Sequence, residues 1–572
     1  MLTMETETSC VEDADSQAID CLIVGYHDSD FDRHATLVRP LRHRNGAYHA
    51  IISNSVSDHG RRVPYMDLLN RCFEDLGRHS PGLHVCKLPN LGVAYLANYL
   101  IHHGLRCEII NFLNEDREHM AQLFASRPVL AVAVTTTFYT TSQPVKEVVG
   151  LIRSLSSTVK IIVGGPYVFN LCEKSPLGQV DAVLEDIGAD IYVHESQGEK
   201  TLVDVLRALK RSADLDDIPN IIVPGSGPSL VKSAAAQRLL SSGRVRRTRR
   251  VHEDNDMDLY SVNWQNFPRS YFVPTVQLRT ARSCAYKCAF CCYPIMAGEL
   301  ALTSLEVIER QLEYLHNCGV RNLVFIDDTF NIPQNRFKAL CRMMIRRRFG
   351  FQWFSYFRAA NADREAIDLA ADSGCKGVFL GIESGDQDML IRMNKAAKVE
   401  KYVTGIQRLN RLGVFTFVSL IVGFPGETAE SVRNTMSFIG EAQPSCYRAE
   451  LYFHSVNTPI HAQADALKIC GSGYAWTHAT MQWREAADHI VSMYNEIQDC
   501  PVIAEHMFDF WAVPYLVGKG FEISQIDRFL RATHPYLLRS MLEDPFDPEP
   551  YKDRVRQALI DVRLNSCGFR GT

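Results

Sequence analysis

Two stretches of the chain repeat one alternation: a short apolar run rich in β-branched residues, a polar break, then an amphipathic segment with apolar residues at helical spacing. Between residues 18 and 223 the apolar runs are AIDCLIVGY, CEIINF, VLAVAVTTT and KIIVGGP. NLGVAYLANYLIHHG, TSQPVKEVVGLIRSL and EKTLVDVLRALKR read as helices, the first with Gly104 as its stop. Strands alternating with helices predict a parallel sheet covered on both faces, with ligands taken at the carboxyl ends of the strands. The pattern fails over residues 224–270, which are rich in Gly, Ser and Arg and read as a linker, the arginine run Arg244–Arg250 being solvated. From about Tyr271 the alternation resumes with TVQLRTA, RNLVFID, FQWFSYFR, KGVFLGIES, VFTFVSLIVGFP and CYRAELYF as strands. Six strand–helix units over 271–464 predict a partial (β/α)6 barrel, with its chemistry at the strands' carboxyl ends. Residues 465–572 read as a mostly helical, aromatic-rich region, and residues 1–17 as a flexible N-terminus.

Composition narrows the functional classes. Hydrophobic residues make up 46% and charged residues 22%, values ordinary for a globular protein. A net charge of −5 gives no bulk electrostatic case for nucleic-acid binding. The opening MLTMETETSCVEDADSQ has neither the basic start nor the apolar stretch of a signal peptide, and no window offers about 18 uninterrupted apolar residues, so neither secretion nor a membrane span is expected. A cytoplasmic location follows as an expectation. The 17 cysteines are then thiols rather than disulfides, and lone ones such as Cys72, Cys107 and Cys375 read as small buried hydrophobes.

RTARSCAYKCAFCCYP, residues 279–294, does not fit that plain reading. Cys284, Cys288 and Cys291 stand as C-x3-C-x2-C in the loop after the first barrel strand, where catalytic groups collect. Three thiolates can hold three irons of a cubane 4Fe–4S cluster and leave one iron open, whereas electron-carrying clusters use four cysteines. A structural zinc site needs a fourth ligand in closed tetrahedral geometry. Cys292 completes that count but is adjacent to Cys291, and it reads as a bystander.

The triad, with Phe290 just before its third cysteine, resembles the signature of radical S-adenosylmethionine (SAM) enzymes. The resemblance implies a cluster whose open iron binds SAM and whose reduction splits SAM to a 5′-deoxyadenosyl radical. It also implies SAM contacts along the barrel mouth. These are Asp327 and Asp328 in FIDDTF, Arg358 in YFRAAN, Glu383 and Ser384 in GIESG, and Val422 and Gly423 in IVGFPGET, where Phe424 can also pack on adenine. A salt bridge to a barrel neighbour is the bland alternative for Arg358, and a helix N-cap is the one for Thr329.

Residues 18–223 resemble the Rossmann-like, doubly wound cobalamin-binding domain found in one large radical SAM subclass. The stretches that carry this are LPNLGVAYLANYL with Leu91 and Gly92, VTTTFYTT with Thr135, Thr136 and Thr137, IIVGGPYV with Gly164, Gly165 and Pro166, and ADIYVHESQGEKTL with Gln197, Gly198 and Glu199. Threonine hydroxyls and glycine amides can hydrogen-bond corrin amides, and glycines leave room for a bulky nucleotide tail. HDSDFDRHATLV offers Asp32 and His34 in partial likeness to D-x-H-x-x-G, but Leu37 stands where glycine is required, so cobalt without a protein imidazole ligand is expected.

The combination resembles cobalamin-dependent (class B) radical SAM methyltransferases, and within them the branch containing the P-methyltransferase of phosphinothricin (bialaphos) biosynthesis. This implies transfer of a methyl group from methylcobalamin to an unactivated carbon or phosphorus centre of a natural-product intermediate, made reactive by the 5′-deoxyadenosyl radical. Such a centre lacks the acidity that general-base catalysis needs. Expected partners are a small-molecule or carrier-bound substrate and an external one-electron reductant of flavodoxin or ferredoxin type, with no nucleic acid. The alternative is an enzyme of the same architecture that performs a non-methylating rearrangement, cyclisation or aminocarboxypropyl transfer. Tyr452, His454, Tyr474, Trp476, His478, Asp509 and Trp511 are candidate substrate-lining residues, although aromatics at helical spacing more often belong to a core.

Overall fold

The computed structural model describes residues 18–225, 245–504, 510–543 and 545–564. The expected flexible segment 1–17, the middle of the expected linker and Asp509 lie outside the described residues. By contacts the chain divides into two units, Met1–Ser29 with Asn90–Asn255 and Asp30–Pro89 with Asp256–Thr572.

The first unit is built on β1 (Cys21–Tyr26), β2 (Cys107–Phe112), β3 (Ala131–Thr135), β4 (Lys160–Gly164), β5 (Ile191–Val193), β6 (Ile221–Pro224) and β7 (Val245–Arg247). Their order in the sheet is β2-β1-β3-β4-β5-β6-β7. The first five are parallel, and β6 and β7 add antiparallel to the edge. Every residue of β1 is buried, as a strand covered on both faces must be. One face packs Leu22, Val24, Val132, Val134, Ile161 and Val163 against apolar residues of helices Leu113–Ser126, Gln143–Leu155 and Leu177–Ile187. The strand order reverses between β1 and β3, and their carboxyl ends form the crevice where such sheets take ligands.

Two boundaries differ from those read in the sequence. Asp30–Pro89 was read as part of the first domain, yet it packs with the second unit. Tyr65 meets Phe529 edge-on at 5.9 Å, Phe73 meets Phe521 at 6.2 Å, and Tyr536 Oη donates to the Ser57 carbonyl at 3.1 Å. The chain therefore leaves the first sheet after β1, adds a layer to the second unit, and returns at Asn90 to make the crossover helix Leu91–His102 before β2. The expected linker 224–270 is also not a linker over 245–255. It supplies β7, and the arginines are ion-paired: Arg247 with Asp181, Arg246 with Asp216 and Arg250 with Glu173. A Gly/Ser-rich composition hid a strand three residues long.

The second unit contains β8 (Thr275–Leu278), β9 (Asn322–Phe325), β10 (Gln352–Tyr356), β11 (Cys375–Glu383), β12 (Phe415–Val422) and β13 (Cys446–Leu451). They pair in chain order and all in parallel, the open barrel expected from six strand–helix units. Thr416, Val418 and Leu420 face the outer helices, with Thr416 Oγ1 bonded to Asn410. The period of two then turns Phe417, Ser419 and Ile421 into the lumen. The tail is helical over Trp483–Glu496, Ala512–Gly518, Ile523–Leu542 and Glu549–Leu559. The short helix Ala512–Gly518 closes the bottom of the lumen, where Gly518 lies against the Thr275 hydroxyl.

Glu253 tests whether residues after β7 hold the first unit together. Its buried carboxylate accepts from the Lys200 and Thr201 amides at 2.9 Å each and from the Thr201 hydroxyl at 2.6 Å. These are amides at the start of helix Glu199–Lys210 that have no partner within the helix. In Glu253→Ala, hydrogen exchange at Lys200 and Thr201 of the full chain is expected to quicken by about tenfold or more, the loss of a charge-assisted pair of bonds. Unchanged protection would refute the clamp.

Candidate functional site

The cysteine loop is fixed before its cysteines begin. Thr280 follows β8, and its amide and hydroxyl both donate to the Asp327 carboxylate at the end of β9, at 2.6 and 2.5 Å. Arg336 donates to the Thr280 hydroxyl, the Thr280 carbonyl and the Thr303 carbonyl at 3.2, 2.9 and 2.8 Å. Ala281–Arg282 then pair antiparallel with Ala301–Leu302. Ser283, at φ +72°, donates its hydroxyl to the Gly298 carbonyl at 2.6 Å. Residues 284–297 therefore form a loop tied across its base.

Inside it, the Cys284 sulfur lies 3.4 Å from the Thr329 hydroxyl, and Cys288 is buried. Burial pushes the Cys291 thiol up to about 12. Among the described residues no three His, Cys, Asp or Glu side chains are placed to hold a single metal ion. A cubane cluster asks something different, one thiolate on each of three irons. The loop's tip docks on the segment after β11: the Ala289 amide donates to the Met393 carbonyl at 2.8 Å and Asn394 Nδ2 to the Lys287 carbonyl at 2.6 Å.

The candidate residues of the barrel mouth fall into two groups. Asp327, at 1% exposure, is committed to Thr280, and burial raises it above the ordinary carboxylate range. Ser384 is fully buried and bonded to the Thr435 hydroxyl at 3.2 Å. Both hold the frame. Of the others only Asp328 is exposed; Arg358, Glu383, Val422 and Gly423 are buried. The protein packed around the Asp328 carboxyl pushes it up to about 7, against the pull of Arg279.

Arg358 makes no salt bridge among the described residues. Its guanidinium lies 3.6 Å above the ring of Tyr286, from the cysteine loop, and donates to the Asn361 side chain at 2.9 Å and to the Lys395 carbonyl. Glu383 pairs with Lys395 at 2.7 Å, and the Lys395 ammonium sits 5.2 Å from the ring centroid of Phe290. Burial opposes the charge on Lys395, but Glu383, Tyr402 and Cys288 together outweigh it and the amine stays above its ordinary range. Gly423, at φ +93°, lets Trp476 press on the backbone; a Cβ there would lie 2.4 Å from the indole. Val422 and Phe424 are buried.

Sequence reasoning missed Tyr286 and Lys395. Tyr286 lay inside the quoted motif, where an aromatic between cysteines carried no assigned partner. Lys395 carried no signal, because a lysine after a helix reads as solvated. The lining candidates separate as well. Tyr452, His454, Trp476 and His478 are buried and bonded within the fold, Trp476 Nε1 donating to the Tyr452 carbonyl at 2.7 Å and stacking on His478 at 5.1 Å. Trp511 lies 6.0 Å from Tyr356 in the lumen, and Tyr474 packs edge-on to Phe453 at 5.0 Å.

In the first unit, the candidates gather at the carboxyl ends of the parallel strands. The Thr136 amide and hydroxyl both donate to the Gly164 carbonyl, at 2.9 and 2.8 Å, and the hydroxyls of Thr135 and Thr137 are 2.9 Å apart. Gly165, at φ +105°, lies so close that a Cβ would meet the Thr136 amide at 3.0 Å. Pro166 opens helix Pro166–Lys174 directly after it. Leu91 and Gly92 open helix Leu91–His102, capped by the Asn90 side chain, and a Cβ on Gly92 would sit 3.5 Å from the Thr137 hydroxyl. Gly198 packs on Val193 at the end of β5. Gln197 and Glu199 are engaged otherwise: their side chains accept from the Asn255 amide and side chain at 3.1 and 2.8 Å.

His34 is exposed on a helix of the other unit. His27, directly after β1, faces Asn114 Oδ1 at 3.0 Å and Glu147 Oε2 at 2.9 Å. The Asp28 amide also donates to that Asn114 oxygen, at 2.9 Å, so both ring nitrogens of His27 meet acceptors and neither is open to a metal.

Residues 278–439 match the Radical SAM superfamily, and residues 86–186 match the B12 binding domain. The chain is 23% identical over 356 residues to an uncharacterized methyltransferase of Pyrococcus horikoshii, covering 61% of this chain and 72% of that one. It is 29% identical over 170 residues to the tryptophan 2-C-methyltransferase of Streptomyces laurentii, 27% of this chain and only 28% of that enzyme. It shares its fold with the radical SAM methyltransferase TsrM of Kitasatospora setae, a structure with cobalamin and a [4Fe-4S] cluster bound, at TM-score 0.57, 17% identity, 83% of this chain and 97% of that one.

Glu427 gives a pH test of the GFPGET turn. It is 1% exposed, accepts from the Gly423 amide, and burial pushes it up to about 8 from the ordinary 4.5. Between those values the folded chain keeps a proton that the unfolded chain releases. Stability from this site is thus full below pH 4.5 and falls as pH rises to 8. Glu427→Gln keeps an acceptor without the charge. Its melting temperature is expected to exceed the wild type's by a few degrees at pH 8.5 and to match it at pH 4.5, within about one degree. Parallel melting curves across that range would refute the buried neutral carboxyl.

Proposed function

We propose that the chain is a cobalamin-dependent radical SAM enzyme and, within that class, a methyltransferase acting on an unactivated carbon or phosphorus centre of a small biosynthetic intermediate, free or carrier-bound. The observation that carries this reading is a C-x3-C-x2-C loop at the carboxyl end of a six-stranded parallel barrel, in one chain with a B12 binding domain. The similar methyltransferases from Pyrococcus horikoshii and Streptomyces laurentii support methyl transfer. The phosphinothricin branch remains part of the proposal, as does an external flavodoxin- or ferredoxin-type reductant. Among the described residues no helix is long and apolar enough to cross a membrane.

The residues fit the three groups by their chemistry. Cys284, Cys288 and Cys291 are the thiolates for a 4Fe–4S cluster, and together with SAM and cobalamin the cluster supplies one-electron cleavage of SAM and a transferable methyl group. Glu383 offers a carboxylate for ribose hydroxyls, held in place by Lys395. Arg358, steered by Tyr286, offers a cation for the methionyl carboxylate. Val422 and Phe424 are buried at the end of β12 and back the GFPGET turn, whose chain an adenine would meet there, and Phe290 shields Lys395 beside the cysteine loop. At the ends of β1, β3 and β4, Thr135–Thr137 and Gly164–Gly165 present hydroxyls and amides with little side-chain bulk, suited to corrin amides and a nucleotide tail. Leu91, Gly92, Pro166 and Gly198 shape the same edge, while Gln197 and Glu199 brace the segment behind it.

Oxygen-free purification and reconstitution test the reading. About four irons and one cobalamin per chain are expected in the wild type. A variant with all three triad cysteines replaced by alanine is expected to lose the iron and keep the cobalamin. Iron without cobalamin, despite cobalamin supplied during expression, would exclude methyl transfer and favour a non-methylating radical reaction.

A further inference from the structure

The layer that residues 30–89 add to the second unit carries a basic surface that no step above uses. Residues 33–44, RHATLVRPLRHR, hold four arginines and no carboxylate. Helix Phe31–Val38 buries Ala35 and turns Arg33, Thr36 and Leu37 outward on one face. Leu41, Arg42, His43 and Arg44 follow it, all exposed. Leu37 is 67% exposed and Leu41 39%. The carboxylates just before this run are engaged with the backbone: Asp30 accepts from the Arg33 amide at 3.0 Å and Asp32 from the Arg62 amide at 2.9 Å. Two other arginine runs differ. Arg246, Arg247 and Arg250 meet Asp216, Asp181 and Glu173, and Arg342 and Arg347 meet Glu365 and Glu313. Those charges are neutralised within the fold, whereas Arg33, Arg42 and Arg44 hold theirs in water.

The surface stands at the cysteine-loop end of the barrel. Gly46 packs on Leu451, the last residue of β13, so tightly that a Cβ would lie 2.3 Å from that side chain. The Gly46 amide donates to the Tyr474 carbonyl at 2.9 Å, and Arg484 donates to the His43 carbonyl. Tyr474 belongs to the hairpin Cys470–Thr477, whose Gly473 exchanges two bonds of 2.9 Å with His454. From His454 the chain runs to Ile460, whose amide donates at 2.9 Å to the carbonyl of Ala289, between Cys288 and Cys291. One bonded framework thus joins the basic segment to the loop of the triad, all of it within the second unit.

We propose that residues 33–44 are the docking surface for the external electron donor, an acidic redox protein. This rests on the radical reading, because a SAM-cleaving cluster takes its electron from outside the chain. The exchange is one electron, lost by the donor and gained at the triad, with no bond made or broken between the proteins. The chain as a whole carries a charge of −5, so an acidic protein is repelled in general and drawn to a local cluster of guanidinium groups. Leu37 and Leu41 among the arginines supply the apolar centre that a protein partner desolvates and a small anion does not. An acidic carrier protein would fit the charge as well, but a carrier is needed only where the substrate is tethered. The donor is needed whatever the substrate. A charge-steered contact also suits a partner that docks, gives up one electron and leaves.

Isothermal calorimetry with a flavodoxin as probe, on the reconstituted full chain, tests the surface. The wild type is expected to bind it, about tenfold more weakly as salt rises from about 0.01 to about 0.15 M and screening shortens from about 30 to about 8 Å. The triple variant Arg33→Gln, Arg42→Gln, Arg44→Gln is expected to weaken binding about tenfold at low salt, and the same three positions changed to lysine to keep most of it. In the glutamine variant, flavodoxin-driven SAM cleavage is expected to lose about tenfold in kcat/KM while dithionite-driven cleavage is unchanged, since dithionite needs no docking surface. Leu37→Glu, at an exposed position in the middle of the run, is expected to weaken binding too and decides the matter if the triple variant fails to fold. No binding, binding indifferent to salt, or undiminished affinity in the variants would overturn the surface. So would an acidic acyl carrier protein or phosphatidylserine vesicles binding through these residues more tightly than flavodoxin. Absence of dithionite-driven cleavage in the wild type would refute the radical reading while leaving the calorimetric ranking readable.

Discussion

One buried carboxylate organises the cysteine loop. Asp327 sits at the end of β9 with almost no water, so its charge requires donors from the protein itself. The amide and hydroxyl of Thr280 supply them, and Arg336 braces the same threonine from the other side. The consequence is geometric. Thr280 lies two residues past β8, where the chain turns toward the cysteines, so the direction in which the loop leaves the barrel is set from the end of a neighbouring strand, not by the loop's own sequence. Everything after it, the two-residue hairpin, the Ser283 bond and the docking of the tip on Met393 and Asn394, builds on that exit angle.

The strands were legible because parallel pairing makes them so. A strand covered on both faces must be largely apolar, and AIDCLIVGY, VLAVAVTTT and VFTFVSLIVGFP announce themselves by composition, while CYRAELYF, with Arg448 and Glu450 inside it, is found by its place in the alternation. Residues 30–89 show where that logic stops. Their helices are amphipathic and would cover either sheet equally well, and only the complementary faces of Ile523–Leu542 and Glu549–Leu559 decide which. A pattern of apolar positions tells a segment to be buried; it does not say against what. The same limit concealed β7, which is too short for a period and is held by pairing and by the arginine–carboxylate contacts along it.

For the site, sequence reasoning located loops better than it located roles. Each motif fell at the strand end where it was placed, since strand ends follow from strand positions. Which atoms remain open at those ends depends on neighbours distant in sequence. Asp327 and Asp328 are adjacent, yet one is consumed by Thr280 and the other has solvent access. Arg358 was weighed against a salt bridge and instead lies on a tyrosine, because a flat cation with a ring within 4 Å satisfies itself without a carboxylate. Lys395 is buried because Glu383 and Phe290 close over it, a fact no local window contains.

The mouth and lumen of the barrel also show why two ion pairs can coexist there without merging. Glu383 and Lys395 come from β11 and the segment just after it, while Arg448 and Glu450 share one strand two positions apart. The register shift between Gly381 and Glu383, with φ +70° at Glu383, turns that carboxylate back over Gly381, where an added Cβ would meet it at 2.7 Å and the Lys395 ammonium at 3.5 Å. Glycine at 381 is thus the space that the buried Glu383–Lys395 pair occupies, and Ser419 stands between Gly381 and Arg448 in the row. A side chain at 381 would displace the carboxylate and leave the Lys395 ammonium buried without its opposite charge, a cost larger than the pair's own worth.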